Sequence, residues 1–204
     1  MGKDMTNELQ LASTTSPICL SEMLKNHSKK THDKVDTLVM SLNPFSSLAH
    51  YQKFLQAQHE FHETLRPFYQ LSSLQSKITG LAALGRADSV LADMADIGAQ
   101  QATLAIARPT IDCDEAIGWL YCAEGSNVGA AILYKEAGKI HLTQTHGARH
   151  LAAHKEGRMT HWRNFKSQLD QLELTNAQIQ KALQGSDKAF DYFRDVIKVV
   201  YQAS

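Results

Sequence analysis

Two groups of residues in this chain have types and spacing suited to chemistry. His32 and Lys25 stand seven residues apart in Leu24-Lys-Asn-His-Ser-Lys-Lys-Thr-His32-Asp-Lys-Val-Asp36. On a helix that is two turns along one face, roughly 10 Å. A neutral imidazole ligates a metal, and an ammonium two turns away pairs with an anion. A half-exposed histidine and a solvated lysine fit the same spacing. The second group lies in Gly118-Trp-Leu-Tyr121-Cys-Ala-Glu-Gly125-Ser-Asn-Val-Gly129-Ala-Ala-Ile-Leu-Tyr-Lys135. This stretch is apolar at helical spacing, yet it carries interior glycines, each costing roughly 1 kcal/mol relative to alanine. Tyr121, Gly125 and Gly129 fall at i, i+4 and i+8 and share one face. Such a strip of bare backbone lets something large and flat approach closely. Tight packing against another helix accounts for the same glycines.

Both groups need helices to position them, and the apolar periodicity supplies these. From about Pro17 to Leu42, the residues Leu20, Met23, Leu24, His27, Thr31, Val35 and Leu38 form one stripe, stopped by Asn43-Pro44. A second helix is expected from about Ser47 to Leu65, with Gln58 and His62 on its apolar face and Pro67 marking its end. Residues 70–84 and 86–97 read as shorter helices punctuated by Gly85 and Gly98, followed by a looser stretch over 98–112. The glycine-bearing helix runs from about Asp114 to Ala137 and is ended by Gly138. A loop rich in His, Gly and Arg covers 141–158, and helices near 160–171 and 175–202 follow, with Thr175 as an N-cap. No β-period run or internal repeat is present. The expectation is one all-α domain over 17–204, preceded by a flexible tail over 1–16.

Composition narrows the function. Lys+Arg and Asp+Glu both number 21, so no global positive field points to nucleic acid. No run is apolar enough to span a bilayer, and residues 1–16 lack the apolar core of a signal peptide. Cys19, Cys113 and Cys122 form no CxxC pair. Reduced thiols in a cytoplasm are the simplest account.

The pattern Leu24-Lys25-x-x-Ser28-x-x-x-His32, followed far downstream by Tyr121-x-x-x-Gly125-Ser126-Asn127-x-Gly129-Ala130, resembles the haem oxygenases. It is most similar to the bacterial type of Gram-negative pathogens such as Neisseria. The resemblance extends to His32-Asp-Lys-Val-Asp36, to His146-Gly-Ala-Arg-His-Leu-Ala152 and to His161-Trp-Arg-Asn-Phe165, and runs in register over roughly residues 17 to 202. It implies a multi-helical bundle with haem b between a proximal and a distal helix. His32 falls on the proximal iron ligand, and Gly125 and Gly129 on the close approach of backbone to haem. Ser126 and Asn127 match the polar pair of the distal side, and Lys25 and Tyr121 the residues that hold the propionates. Gln58, His62, Arg86 and His150 match a second layer that orders distal water.

The resemblance further implies cleavage of haem to biliverdin with release of Fe2+ and CO, for iron acquisition. O2 and an external electron donor, a reductase or ferredoxin, are required. A monomer without membrane or nucleic-acid partners is expected. The animal enzymes carry aspartate where this chain has Ser126, so distal water must be organised by other groups here. Lys25 and Tyr121 resemble the propionate anchors of members that cleave at the α-meso carbon, whereas members releasing β and δ isomers lack this pair.

Three other readings remain open at this level. One is a haem-binding or storage protein on the same fold. Another is a di-iron bundle using Glu60, His62, Glu63 and Glu124, although Glu60-Phe-His62 departs from the required Glu-x-x-His spacing. The last is a thiaminase-type hydrolase with Cys122 as nucleophile.

Overall fold

The first apolar stripe winds into α1 (Leu20–Ser41), burying Leu20, Leu24, Ser28, Val35 and Val39. The computed structural model describes residues 19–202; these are all-α, with no strand among them, and the expected tail over 1–16 lies outside them. The start of α1 is fixed by Asp170, whose carboxylate accepts from the Ser21 N–H at 2.7 Å and from its hydroxyl at 2.9 Å.

In α2 (Leu48–Tyr69) the Ser47 hydroxyl caps the first turn, accepting from the His50 N–H at 3.2 Å. Pro67 does not end this helix, contrary to the sequence expectation. Proline here sacrifices one hydrogen bond near the C-terminus, and the buried Tyr69 beyond it is anchored through its hydroxyl to Glu124 at 2.6 Å. The expected helix over 70–84 is also broken up. It yields only α3 (Ser72–Gln75) and a 3-10 turn at Leu81–Ala83, because Gly80 between them takes the left-handed conformation, φ 78°. α4 (Ala87–Asp96) follows, then residues 98–112 without helix. Arg108 in that stretch is bidentate on Glu60 of α2, at 2.7 and 3.0 Å.

α5 (Cys113–Lys139) begins where the Asp112 carboxylate accepts from the Asp114 and Glu115 N–H groups, both at 2.9 Å. It runs through Gly138 rather than stopping there, and the chain turns away only at His141, φ 64°. Inside the loop over 141–157 lies a 3-10 turn at Arg149–Leu151. α6 (Arg158–Asp170) and α7 (Asn176–Gln202) complete the bundle. Thr175 and Gln178 form a reciprocal cap before α7, with bonds of 3.3 and 3.0 Å between side chain and backbone N–H.

α7 supports α1, α2 and α5. α5 lies along it, with Trp119 tilted on Tyr192 and the Cys122 thiol donating to the Ser186 carbonyl at 3.4 Å. α1 packs against α7 at the next residue: Asp187 accepts from the Thr31 hydroxyl at 2.7 Å and pairs with His27 at 2.8 Å. His27 therefore sits on the exposed flank of α1 rather than in its apolar stripe. α1 and α5 both lean on α7 and touch each other little.

Candidate active site

His32 is exposed on α1, its ring set edge-on to that of Phe190 on α7 with centroids 5.4 Å apart. Its Nδ1 stands 3.4 Å from Asp36 Oδ2 and 3.6 Å from Asp33 Oδ1. Carboxylates on the Nδ1 side leave Nε2 as the nitrogen for a ligand bond. Lys25, two turns earlier, is also exposed.

The strip on α5 differs along its length. Tyr121 is 7% exposed, its ring 5.0 Å from Trp162 of α6, and burial pushes its phenol pKa up. A methyl group on Gly125 would stand 3.2 Å from the Trp162 ring, whereas one on Gly129 would meet nothing within 4 Å. Gly129 therefore opens onto free space. Ser126 is exposed and its hydroxyl donates back to the Ala123 carbonyl at 2.7 Å. Asn127 is buried; its backbone and side-chain oxygens accept from Arg158 at 2.7 and 3.2 Å.

His62, Arg86 and His150 come together in one buried polar group. His150 N–H and Nδ1 both bond Asp93 Oδ2, at 2.9 and 2.7 Å, and Asp93 is fully buried. Arg86 donates to the His150 carbonyl and, at 2.6 Å, to His154 Nε2. Burial, reinforced by the charge of Arg86, pulls His62 down to about 3. Burial likewise lowers His150 against the pull of Asp93. His62 Nδ1, Arg86 Nε and His150 Nε2 are all buried with no protein partner. His62 and Tyr69 line a small cleft of about 50 Å³. Gln58, half-buried on α2, precedes His62 by one turn.

Sequence reasoning missed a second buried group. Glu124, the residue before Gly125, accepts from the Tyr69 hydroxyl at 2.6 Å and from His161 Nε2 at 2.8 Å. His154 stacks on His161 with ring centroids 3.5 Å apart. Glu124 and His161 stand out singly in the sequence, but nothing local marks the grouping, because its members come from α2, α5, α6 and the 141–157 loop. Glu124, His154 and His161 place donor atoms within 4.8 Å of one another. The His154 lone pair is nonetheless spent on Arg86, an obligate donor.

The di-iron set is not assembled. Glu60 binds Arg108 and Tyr192, and Glu63 binds Arg66. Cys122 is buried and its thiol pKa is pushed up, the state of an inert core thiol.

An all-α bundle with an exposed imidazole on one helix and a bare glycine opening on another is compatible with a haem-handling class of protein. The chain matches the Heme oxygenase family over residues 19–199 and belongs to it. It is 34% identical to heme oxygenase PigA of Pseudomonas aeruginosa, over 87% of this chain and 91% of that protein. The crystal structures of the NO- and CO-bound heme oxygenase from Neisseria meningitidis share its architecture, with a TM-score of 0.88 and 40% identity over 91% of this chain and 93% of that one. Heme oxygenase 2 from Chlamydomonas reinhardtii shares the fold at a TM-score of 0.69 and 19% identity, over 89% of this chain and 97% of that one. The protein is a haem-degrading enzyme. Among the described residues no helix is long and apolar enough to cross a membrane.

Proposed function

We propose that this enzyme opens haem to biliverdin IXα, releasing Fe2+ and CO, with O2 and electrons from an external reductase or ferredoxin, in the service of iron acquisition. It works as a monomer in the cytoplasm. The carrying observation is the Gly129 end of the α5 strip, where the backbone is bare and open, on a helix that leans with the His32 helix on α7. The residues fit haem. His32 supplies an exposed imidazole with the Asp33 and Asp36 carboxylates beside its Nδ1. Lys25 and Tyr121 would supply a cation and a phenol to the propionates. The distal strip, Gly125 and Gly129 with Ser126 beside them, carries no titrating side chain; Asn127, expected there from the resemblance, is instead buried on the far side of α5 against Arg158. When bound, haem supplies the iron that activates O2 and is itself the molecule oxidised. The chain supplies binding, orientation and protons.

The three unpartnered atoms of His62, Arg86 and His150 are a suitable frame for ordered water, since buried polar atoms are otherwise costly to leave unmade. Gln58 extends that frame toward the start of α2. None of residues 125–129 is a charged acid, which would suit protonation without uncontrolled oxidant formation.

The test is to mix purified protein with haemin and add ascorbate or a reductase. Loss of the Soret band, appearance of biliverdin and capture of ferrous iron by a chelator are expected. Stable haem binding with no bleaching under reductant would leave a haem-storage protein instead.

A further inference from the structure

Four of the five residues from 125 to 129 are glycine, serine, asparagine or glycine, types that hold a helical turn poorly on their own. The turn is helical throughout. What holds it lies away from the strip. Glu124 stands about 100° round the helix from Gly125, and Asn127 about 160°. Glu124 is 1% exposed. Its Oε1 accepts from Tyr69 of α2 at 2.6 Å and its Oε2 from His161 of α6 at 2.8 Å. His161 is steered in turn by Glu156, 3.2 Å from Nδ1, and by the stacked ring of His154. One carboxylate thus ties α5 to both neighbouring helices through charge-assisted bonds. The residue after His161 is Trp162, which covers Gly125 and Tyr121. The register of α6 that seats His161 on Glu124 also sets where Trp162 stands against the strip.

We propose that Glu124, acting through Tyr69 and His161, is the positioning residue that fixes the height and register of the Gly125–Gly129 strip. It thereby fixes which edge of a flat ligand the strip crowds. The proposal rests on the haem oxygenase reading of that strip. Glu124 touches no substrate; it works by clamping the backbone that does.

The test compares Glu124→Ala, Glu124→Gln and Tyr69→Phe. Gln accepts from Tyr69 and donates to His161 Nε2 once that ring holds its proton on Nδ1, so it keeps the clamp without the charge. Hydrogen exchange is measured on ligand-free protein for amides 125–129, and the biliverdin isomers are separated after turnover. Glu124→Ala is expected to speed exchange there by about tenfold or more, with α1 and the N-terminal half of α5 unchanged, and to mix the isomers. Tyr69→Phe gives an intermediate effect, and Glu124→Gln restores the wild-type result in both measurements. Wild-type protection with a single isomer in Glu124→Ala overturns the proposal. So does a Gln variant as defective as Ala, which makes the charge, not the clamp, the requirement. Should Glu124→Ala fail to fold, unchanged exchange in Tyr69→Phe overturns it. Failure of the wild type to cleave haem refutes the functional reading alone, because the exchange measurement contains no haem.

Discussion

A methyl group at Gly118 of α5 would stand 1.9 Å from the carbonyl oxygen of Ala182 on α7. The reverse contact is as close, with a methyl at Gly185 falling 2.1 Å from the Glu115 carbonyl. The tight crossing of these helices is made there, between two backbones, and neither Gly125 nor Gly129 takes part in it.

The glycines of α5 therefore divide into two kinds, with opposite expected behaviour. Gly118→Ala forces the helices apart and is expected to destabilise the ligand-free protein by about 3 kcal/mol or more, the scale of severe overpacking. Gly129→Ala meets nothing and removes a helix-interior glycine, so it stabilises by roughly 0.5–1 kcal/mol. Thermal unfolding without haem checks both, at about 2–4 °C per kcal/mol for a chain this size. Gly129→Leu folds but excludes the flat ligand, read as loss of haem binding or turnover. Full activity in Gly129→Leu would remove the case for the strip.

His32→Ala is expected to abolish haem turnover and change the ferric absorption spectrum, while His27→Ala leaves both intact. His27 is committed to Asp187 on the α7 side, and that pair is exposed enough to be worth about 1 kcal/mol or less. Loss of the axial nitrogen in His27→Ala, with His32→Ala unaffected, would show the ligand has been placed one turn too far along α1.

Stability has two pH limbs. Burial lowers His62 to about 3, and burial together with Arg86 lowers His154 to about 4, both from 6.5. The unfolded chain binds protons at these rings below 6.5 and the folded chain does not. Their contribution is therefore full above that pH and is lost as pH falls toward 4 and 3. His161 shifts the other way, raised chiefly by its bond to Glu124. Its contribution is full below 6.5 and is lost as pH rises through the raised value. A melting-temperature maximum close to pH 6.5 is expected for ligand-free protein. His62→Gln should flatten the acid limb and His161→Gln the alkaline one. An acid limb unchanged in His62→Gln would mean that this ring is not held neutral.

The helices that carry the chemistry were legible because their apolar stripes and caps are local signals, as with Leu24, Val35 and Asp112. Errors fell where a tertiary contact overrules a local one. Pro67 stays helical because Tyr69 is anchored on Glu124, and Gly138 is passed because the turn comes at His141. His32 and the glycine strip could be found from spacing and family pattern. The contacts of Glu124, Trp162 and Arg158 could not, since each acts across helices far apart in sequence.

The isomer of biliverdin tests the placement of the propionate anchors. The haem can rotate in its own plane, so the anchors decide which meso carbon lies beneath the crowded side of the strip. Lys25 is exposed on α1, free to follow a carboxylate, whereas Tyr121 is 7% exposed and fixed against Trp162. Under the proposed function the two would differ in role: Tyr121 would set the reference position and Lys25 would select the orientation. An exposed ion pair at Lys25 is worth about 1 kcal/mol or less, a bias of up to roughly fivefold between orientations. The wild type is accordingly expected to give one main isomer, IXα. Lys25→Ala removes most of that bias without abolishing binding, and Lys25→Ala combined with Tyr121→Phe should give a mixture. Chromatography of the products checks this. A wild-type product that is mainly β or δ would refute the anchor assignment whatever the variants yield.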